Sequence, residues 1–200
     1  MPTLTRDDAH VYRLDGVVVP GVTSILRDGL LGPDFRGARP GDVERAGERG
    51  RAVHVGCALL AEGAEIDWSD LDDEVAGYLR GFLLFLAEKK PRVLAVERFV
   101  YSTRWRFAGQ LDLECFLDGE RTIVDLKSAA SLDPSTAPQC AGYRLARNEM
   151  TPMEPARRIA GLRLAPNDYR LVDLYEEQPN AEQAFLAALV VANWRKAHGR

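Results

Sequence analysis

Lysine is scarce in this 200-residue chain: of 26 basic residues only Lys89, Lys90, Lys127 and Lys196 are lysines, and the rest are arginines. A lysine set between apolar strand residues, as Lys127 is, therefore calls for a reason. Cysteine is scarcer still. Cys57, Cys115 and Cys140 are odd in number and far apart, and none forms a C-x-x-C, so neither a disulfide framework nor a zinc knuckle is signalled. The phosphate-binding pattern G-x-x-x-x-G-K-[ST] is missing, which excludes a built-in P-loop motor. No apolar run is long enough for a bilayer, and "MPTLTRDDAH" has no apolar signal core, so a cytoplasmic protein without membrane contact is expected. Positive charge is not in excess either. A net charge of −4 argues against a general basic coat and leaves nucleic-acid contact to local patches.

What is present is ordinary globular material, with 46% hydrophobic and 28% charged residues. One domain over residues 1–200 is expected, with no repeat or long linker. It divides into an N-terminal hairpin and loop over 1–41, a core over about 42–175, and a C-terminal helix over about 181–198. The hairpin turns at Asp15-Gly16, and Pro20-Gly21 marks a further turn. Val43, Ala46, Gly50, Val53, Cys57 and Leu60 recur at helical spacing over about 42–62, and a second helix runs from Asp70 to Lys90. Strands follow at 92–101, 107–117 and 121–128, then a helix over 137–148 with Thr136 and Gln139 spaced as a capping box. Two more strands flank Pro166-Asn167-Asp168. The order predicts an α/β fold with a central mixed β-sheet flanked by helices.

The chemistry concentrates in "FAGQLDLECFLDGERTIVDLKSAA", residues 107–130. With Asp118-Gly119 as a two-residue turn, Leu117 faces Glu120 and Leu113 faces Val124. On that register Leu111, Leu113, Cys115, Leu117, Val124 and Leu126 share one face. Gln110, Asp112, Glu114, Ile123, Asp125 and Lys127 share the other, with Asp112 opposite Asp125 at about 5 Å between Cβ atoms and Lys127 opposite Gln110. Two carboxylates held together share either a proton or a cation, and hard oxygen donors suit Mg²⁺ or Mn²⁺. The bland alternative is a solvated face with Asp and Lys paired across strands; the facing acids weigh against it.

These residues and their neighbours resemble the PD-(D/E)XK nuclease superfamily, in particular its RecB-like branch and the phage-type exonucleases within it. "AGQLD" (108–112) is similar to the glycine-then-aspartate strand, and "IVDLKS" (123–128) to the D-x-K strand. "RGRAVH" (49–54) is similar to a helix that supplies a histidine ligand, and "QCAGY" (139–143) to the Q-x-x-x-Y helix. The early "VPGVTSIL" resembles the segment that opens many phage-type members. The order of these motifs is that of the branch. "DLKS" departs mildly from its usual D-Y-K-T.

The resemblance implies a restriction-endonuclease-like core and hydrolysis of DNA phosphodiesters with Mg²⁺ or Mn²⁺. Asp112, Asp125 and His54 would hold the metal with the backbone carbonyl of Leu126, and Glu97 is a further acidic candidate. Lys127 would be the catalytic lysine, assisted by Gln139 and Tyr143, which lie one helical turn apart. Three cysteines cannot hold the four-thiolate iron–sulfur cluster of some relatives, so none is expected. Each residue also has a plainer reading: His54 as a packed histidine, Glu97 as a strand charge paired with an arginine, Gln139 as a cap, Tyr143 as core. DNA would be held by Arg36, Arg39, Arg45, Arg49 and Arg51 near His54, by Arg104 and Arg106, and by Arg144 and Arg147. Trp105 between two arginines is placed to stack on a base, unless it is simply an anchored surface ring. An exonuclease acting on DNA ends in phage recombination or repair is the first expectation, with a recombination or single-strand-annealing protein as a partner. A structure-specific or restriction-type endonuclease and a non-catalytic DNA-binding relative are the alternatives.

Overall fold

The computed structural model of the chain describes residues 2–33 and 39–199. Arg36, one of the expected DNA-binding arginines, lies outside the described residues. Three short antiparallel strands, β1 (Leu4–Arg6), β2 (Tyr12–Leu14) and β3 (Val17–Val19), form a small sheet. Helices α1 (Val22–Asp28), α2 (Pro40–Ala61) and α3 (Asp73–Lys89) follow. The main sheet comprises β4 (Arg92–Ser102), β5 (Phe107–Leu117), β6 (Glu120–Lys127), β7 (Arg158–Ala165) and β8 (Asp168–Asp173), in that spatial order. Helix α4 (Thr136–Met150) links β6 to β7, which pair in parallel; the other pairs are antiparallel. Helices α5 (Leu174–Glu177) and α6 (Ala181–Ala197) complete the chain. The result is the mixed α/β sheet flanked by helices that the element order predicts. No described helix is long and apolar enough to cross a membrane.

Local chemistry accounts for the sharpest boundaries. Asp118 and Gly119 both have positive φ, +50° and +83°, as a two-residue hairpin turn requires. That turn sets the β5–β6 register, and Leu117 pairs with Glu120 and Leu113 with Val124 as the spacing predicts. The Asp72 carboxylate caps α3 by accepting from the backbone N–H groups of Glu74 and Val75, and Lys90, with φ +46°, closes the same helix.

Other elements differ from expectation. Helix α1 was not foreseen because "VTSIL" is rich in β-branched residues, which favour strands. Burial of Val22, Ile25 and Leu26 against α4 and α6 overrides that preference. Strand β1 is too short to show an alternation, and it exists through pairing with β2. The capping box is absent too: no side chain caps α4, and Gln139 turns elsewhere.

The core has two layers. On one side Val22, Phe107, Leu111, Ile123, Tyr143 and Phe185 join α1, α4 and α6 to the sheet. On the other, Val53, Phe82, Leu113, Cys115, Val124 and Leu126 join α2 and α3 to it. Leu111 and Leu113 therefore lie on opposite faces, although strict alternation puts them together. The change of face falls at Asp112, and on the neighbouring strand at Glu97. Val96 pairs with Leu113 and Arg98 with Leu111, but Glu97 and Asp112 between them do not pair, and Glu97 has φ +46°. All three cysteines are buried free thiols.

Candidate metal centre

The break in alternation carries Asp112 and Glu97 to the α2 side of the sheet. There the half-buried His54, midway along α2, meets both: its Nδ1 lies 3.4 Å from Asp112 Oδ1 and 3.9 Å from Glu97 Oε1. One donor atom from each residue lies within 4.8 Å of the others, which is the spacing of a cation-binding cluster. The remaining oxygen of Asp112 is anchored, because Oδ2 accepts the Leu126 backbone N–H at 2.7 Å. The expected facing of Asp112 and Asp125 is thus replaced. The regular β5–β6 ladder ends at Leu113–Val124, and the Asp112 carboxylate itself takes the next N–H of β6.

His54 Nε2 lies 3.0 Å from the carbonyl oxygen of Leu126. A carbonyl only accepts, so Nε2 donates, leaving Nδ1 to the two carboxylates. The Leu126 carbonyl, expected as a metal ligand, has this histidine as its partner. Burial disfavours a charged ring, but the Asp112 and Glu97 carboxylates outweigh it and push the His54 pKa up to about 10. Burial likewise opposes ionisation of Asp112, and the His54 and Lys127 charges and the Leu126 N–H bring its pKa below the usual value.

Asp125 stands apart from that triad. It points toward α4, is 1% exposed, and has Lys127 Nζ 2.6 Å from Oδ2. Neither of its oxygens has a well-aligned hydrogen-bond donor, so the contact is an ion pair with poor geometry. Burial raises its pKa to about 6 despite Lys127, with Asp112 adding to the shift. Burial opposes the Lys127 charge, yet Asp125 and Asp112 hold its pKa above the ordinary lysine value. Lys127 Nζ also donates to Gln139 Oε1 at 3.3 Å, and Gln139 Nε2 donates to Tyr143 Oη at 3.1 Å. A continuous polar row, Asp125–Lys127–Gln139–Tyr143, results. Burial, with the Asp112 and Asp125 charges, keeps the Tyr143 phenol protonated. Lys127 does not face Gln110, which lies on β5 beside Glu97.

The donor set fits a hard divalent cation. The triad offers one imidazole nitrogen and carboxylate oxygens, and Asp125, whose buried oxygens have only the poorly aligned Lys127 ammonium for a partner, lies next to it in the sheet. Two clefts meet at His54. One, of about 670 Å³, runs past Arg6, His10, Arg51, Glu97 and Gln110; the other, of about 500 Å³, runs past Gly47, Arg49, Lys127 and Ser128.

The arginines separate into two groups. Arg51 is exposed in the first cleft, and Arg39 is exposed at the start of α2. Arg45 is exposed and paired with Asp42. Arg49 is a staple: it donates to Glu74 at 2.7 Å and to the Ser128 carbonyl at 3.1 Å, with its guanidinium 5.3 Å from the Tyr78 ring centre. Arg147 cannot reach DNA. It is 1% exposed and binds Glu114 at 2.7 and 2.8 Å, because the fully buried Glu114 needs a cation. Arg144 donates to the Arg157 carbonyl and to Glu182, and lines a separate cleft. Arg104 lies over the half-buried Trp105 ring, which packs on the core. With Arg106 this turn lies roughly 20 Å along β5 from Asp112, at about 3.4 Å per residue. Gln110 and Arg6 line the same cleft as Glu97; the sequence puts Gln110 on the polar face with Asp112 but assigns it no role, and nothing in the sequence marks Arg6.

No protein-family profile matches the chain, and no curated protein matches it significantly. Among solved structures, the crystal structure of LHK-Exo in complex with dAMP matches over 90% of this chain and 93% of that one, with 11% identity and a TM-score of 0.39. A likeness of that degree carries no inference about chemistry.

Proposed function

We propose that the chain acts as a single-domain, divalent-metal-dependent DNA nuclease, an exonuclease working at DNA ends in phage recombination or repair. One observation carries the reading. The His54–Glu97–Asp112 triad and the Asp125–Lys127–Gln139–Tyr143 row flank Leu126, whose N–H holds Asp112 and whose carbonyl meets His54, and two open clefts meet at His54.

His54, Glu97, Asp112 and Asp125 would hold Mg²⁺ or Mn²⁺. Such an ion lowers the pKa of a bound water and stabilises negative charge at a phosphate undergoing attack. Lys127, kept as an ammonium by Asp125 and oriented by Gln139, offers N–H donors to a phosphate oxygen or to the attacking water. The Lys127 ammonium can only donate, so it takes the Gln139 amide oxygen and leaves the amide nitrogen to donate to Tyr143 Oη. Arg51 and Arg6 supply positive charge along the first cleft, where a sugar–phosphate backbone would lie.

The test is digestion of end-labelled single- and double-stranded DNA with Mg²⁺, Mn²⁺ or EDTA. Hydrolysis with either metal, abolished by EDTA and by Lys127→Ala, is expected. Equal cutting by Lys127→Ala would remove the assigned site. Closed circular DNA should resist; its digestion would replace the exonuclease reading by an endonuclease one.

A further inference from the structure

Glu97 is the odd member of the triad. It sits in the middle of β4 with φ +46°, a left-handed conformation that strains an ordinary residue. Glycine would adopt it freely but has no carboxylate. The regular pairing of β4 and β5 also lapses at Glu97, although it holds on both sides. Something other than the ladder must therefore keep this backbone in place.

We infer that Gln110, held by Arg6, is the positioning residue that fixes Glu97 for cation binding. Gln110 Nε2 donates to the Glu97 carbonyl at 3.1 Å, taking the place of a ladder hydrogen bond. Its Oε1 accepts from Arg6, so the amide is gripped at both ends. Arg6 is fixed in turn. Its guanidinium lies 5.5 Å from the Phe99 ring centre, and Tyr12, its cross-strand partner, meets Phe99 edge-on at 6.3 Å. The small sheet rests on the main one through Tyr12, Leu14, Val19 and Ala108. A role for that sheet follows: it braces the one ligand whose backbone is strained. Gln110 touches the Glu97 main chain and not its carboxylate, so it acts through Glu97.

The inference rests on the reading of the triad as a cation site, and its test reads Mn²⁺ binding rather than DNA hydrolysis. Mn²⁺ affinity is measured by calorimetry and by the resonance of free Mn²⁺ for wild type, Gln110→Met, Arg6→Met, Glu97→Gln and the Gln110→Met/Glu97→Gln double variant. Melting in EDTA runs alongside. Gln110→Met is expected to weaken binding about tenfold, the lower end for a residue supporting a ligand, and Arg6→Met by less. In the Glu97→Gln background Gln110→Met should add nothing, because the carboxylate it positions is gone. An equal loss in both backgrounds would mean a general structural role and overturn the inference. If Glu97→Gln weakens binding while Gln110→Met does not, the inference fails and the triad stands. If Glu97→Gln binds as wild type does, Glu97 is no ligand and both fail.

Discussion

His54 Nε2 meets the Leu126 carbonyl at 3.0 Å, and this one contact joins helix α2 to the strand segment between Asp125 and Lys127. It also selects the ring nitrogen that faces Asp112 and Glu97. The histidine is thus both tether and ligand candidate, on opposite edges of one ring.

Replacing His54 by Ala should weaken Mn²⁺ binding about 10- to 100-fold and lower DNA hydrolysis at fixed metal in proportion. Calorimetric titration with Mn²⁺ is the check. Unchanged affinity would place the cation elsewhere.

Asp125→Asn should separate function from stability. The wild-type carboxylate is buried, its ion pair with Lys127 is poorly aligned and burial raises its pKa, so its charge stabilises little in the absence of a metal ion. Hydrolysis should fall by at least 100-fold, while the melting temperature in EDTA holds or rises. A drop of more than a few degrees would show that the Asp125–Lys127 pair is structural.

Gly109 has no room for a side chain. A Cβ there would meet Tyr143 Cε1 at 2.6 Å and Val22 Cγ2 at 3.1 Å. Gly109→Ala should displace the Tyr143 ring, destabilise the fold by about 1–3 kcal/mol, and reduce turnover by freeing Gln139 from Tyr143. Urea unfolding and single-turnover hydrolysis measure the two effects.

Arg147→Met leaves Glu114 buried with Arg121 at 3.0 Å and Arg98 at 3.3 Å as its remaining partners. A loss of about 3 kcal/mol is expected in urea unfolding, with DNA affinity unchanged once the folded fraction is allowed for. Weakened DNA binding by fully folded protein would restore Arg147 to the interface.

Glu149 ties the β4–β5 turn to the end of α4. Burial raises its pKa, but hydrogen bonds from Ser102, Thr103 and the backbone N–H groups of Thr103 and Arg104 outweigh it, and the net shift is downward. A carboxylate with a lowered folded pKa contributes stability above its unfolded pKa of about 4.3 and loses it as pH falls through the folded value. Glu149→Gln should therefore cost about 1 kcal/mol at pH 7, solvent screening included, and progressively less below pH 4. Thermal melts across that range test it.

Much of this was legible in the residues, for local reasons. A turn such as Asp118-Gly119 carries its own conformational preference, so it set the hairpin register without help. The α6 boundaries, Ala181–Ala197, fall within a residue of the expected 181–198. The candidate site was legible as residue types: His54, Asp112, Asp125, Lys127, Gln139 and Tyr143 were all named, and Glu97 stood as an alternative. Their grouping was not legible. A strict two-residue alternation put Asp112 and Asp125 face to face, whereas the positive φ of Glu97 and the change of face beside it turned Asp112 to His54 and left Asp125 with Lys127.

The arginines mark the same boundary. Sequence alone determined that the chain relies on arginine and holds one lysine in a strand beside two acids. Only the tertiary structure decided which arginines face solvent. Arg147 and Glu114 lie 33 positions apart, and nothing near either one announces the other. Short-range preferences act through a few neighbouring dihedrals and can be read locally. Burial and ion pairing depend on which distant segment the folded chain brings alongside.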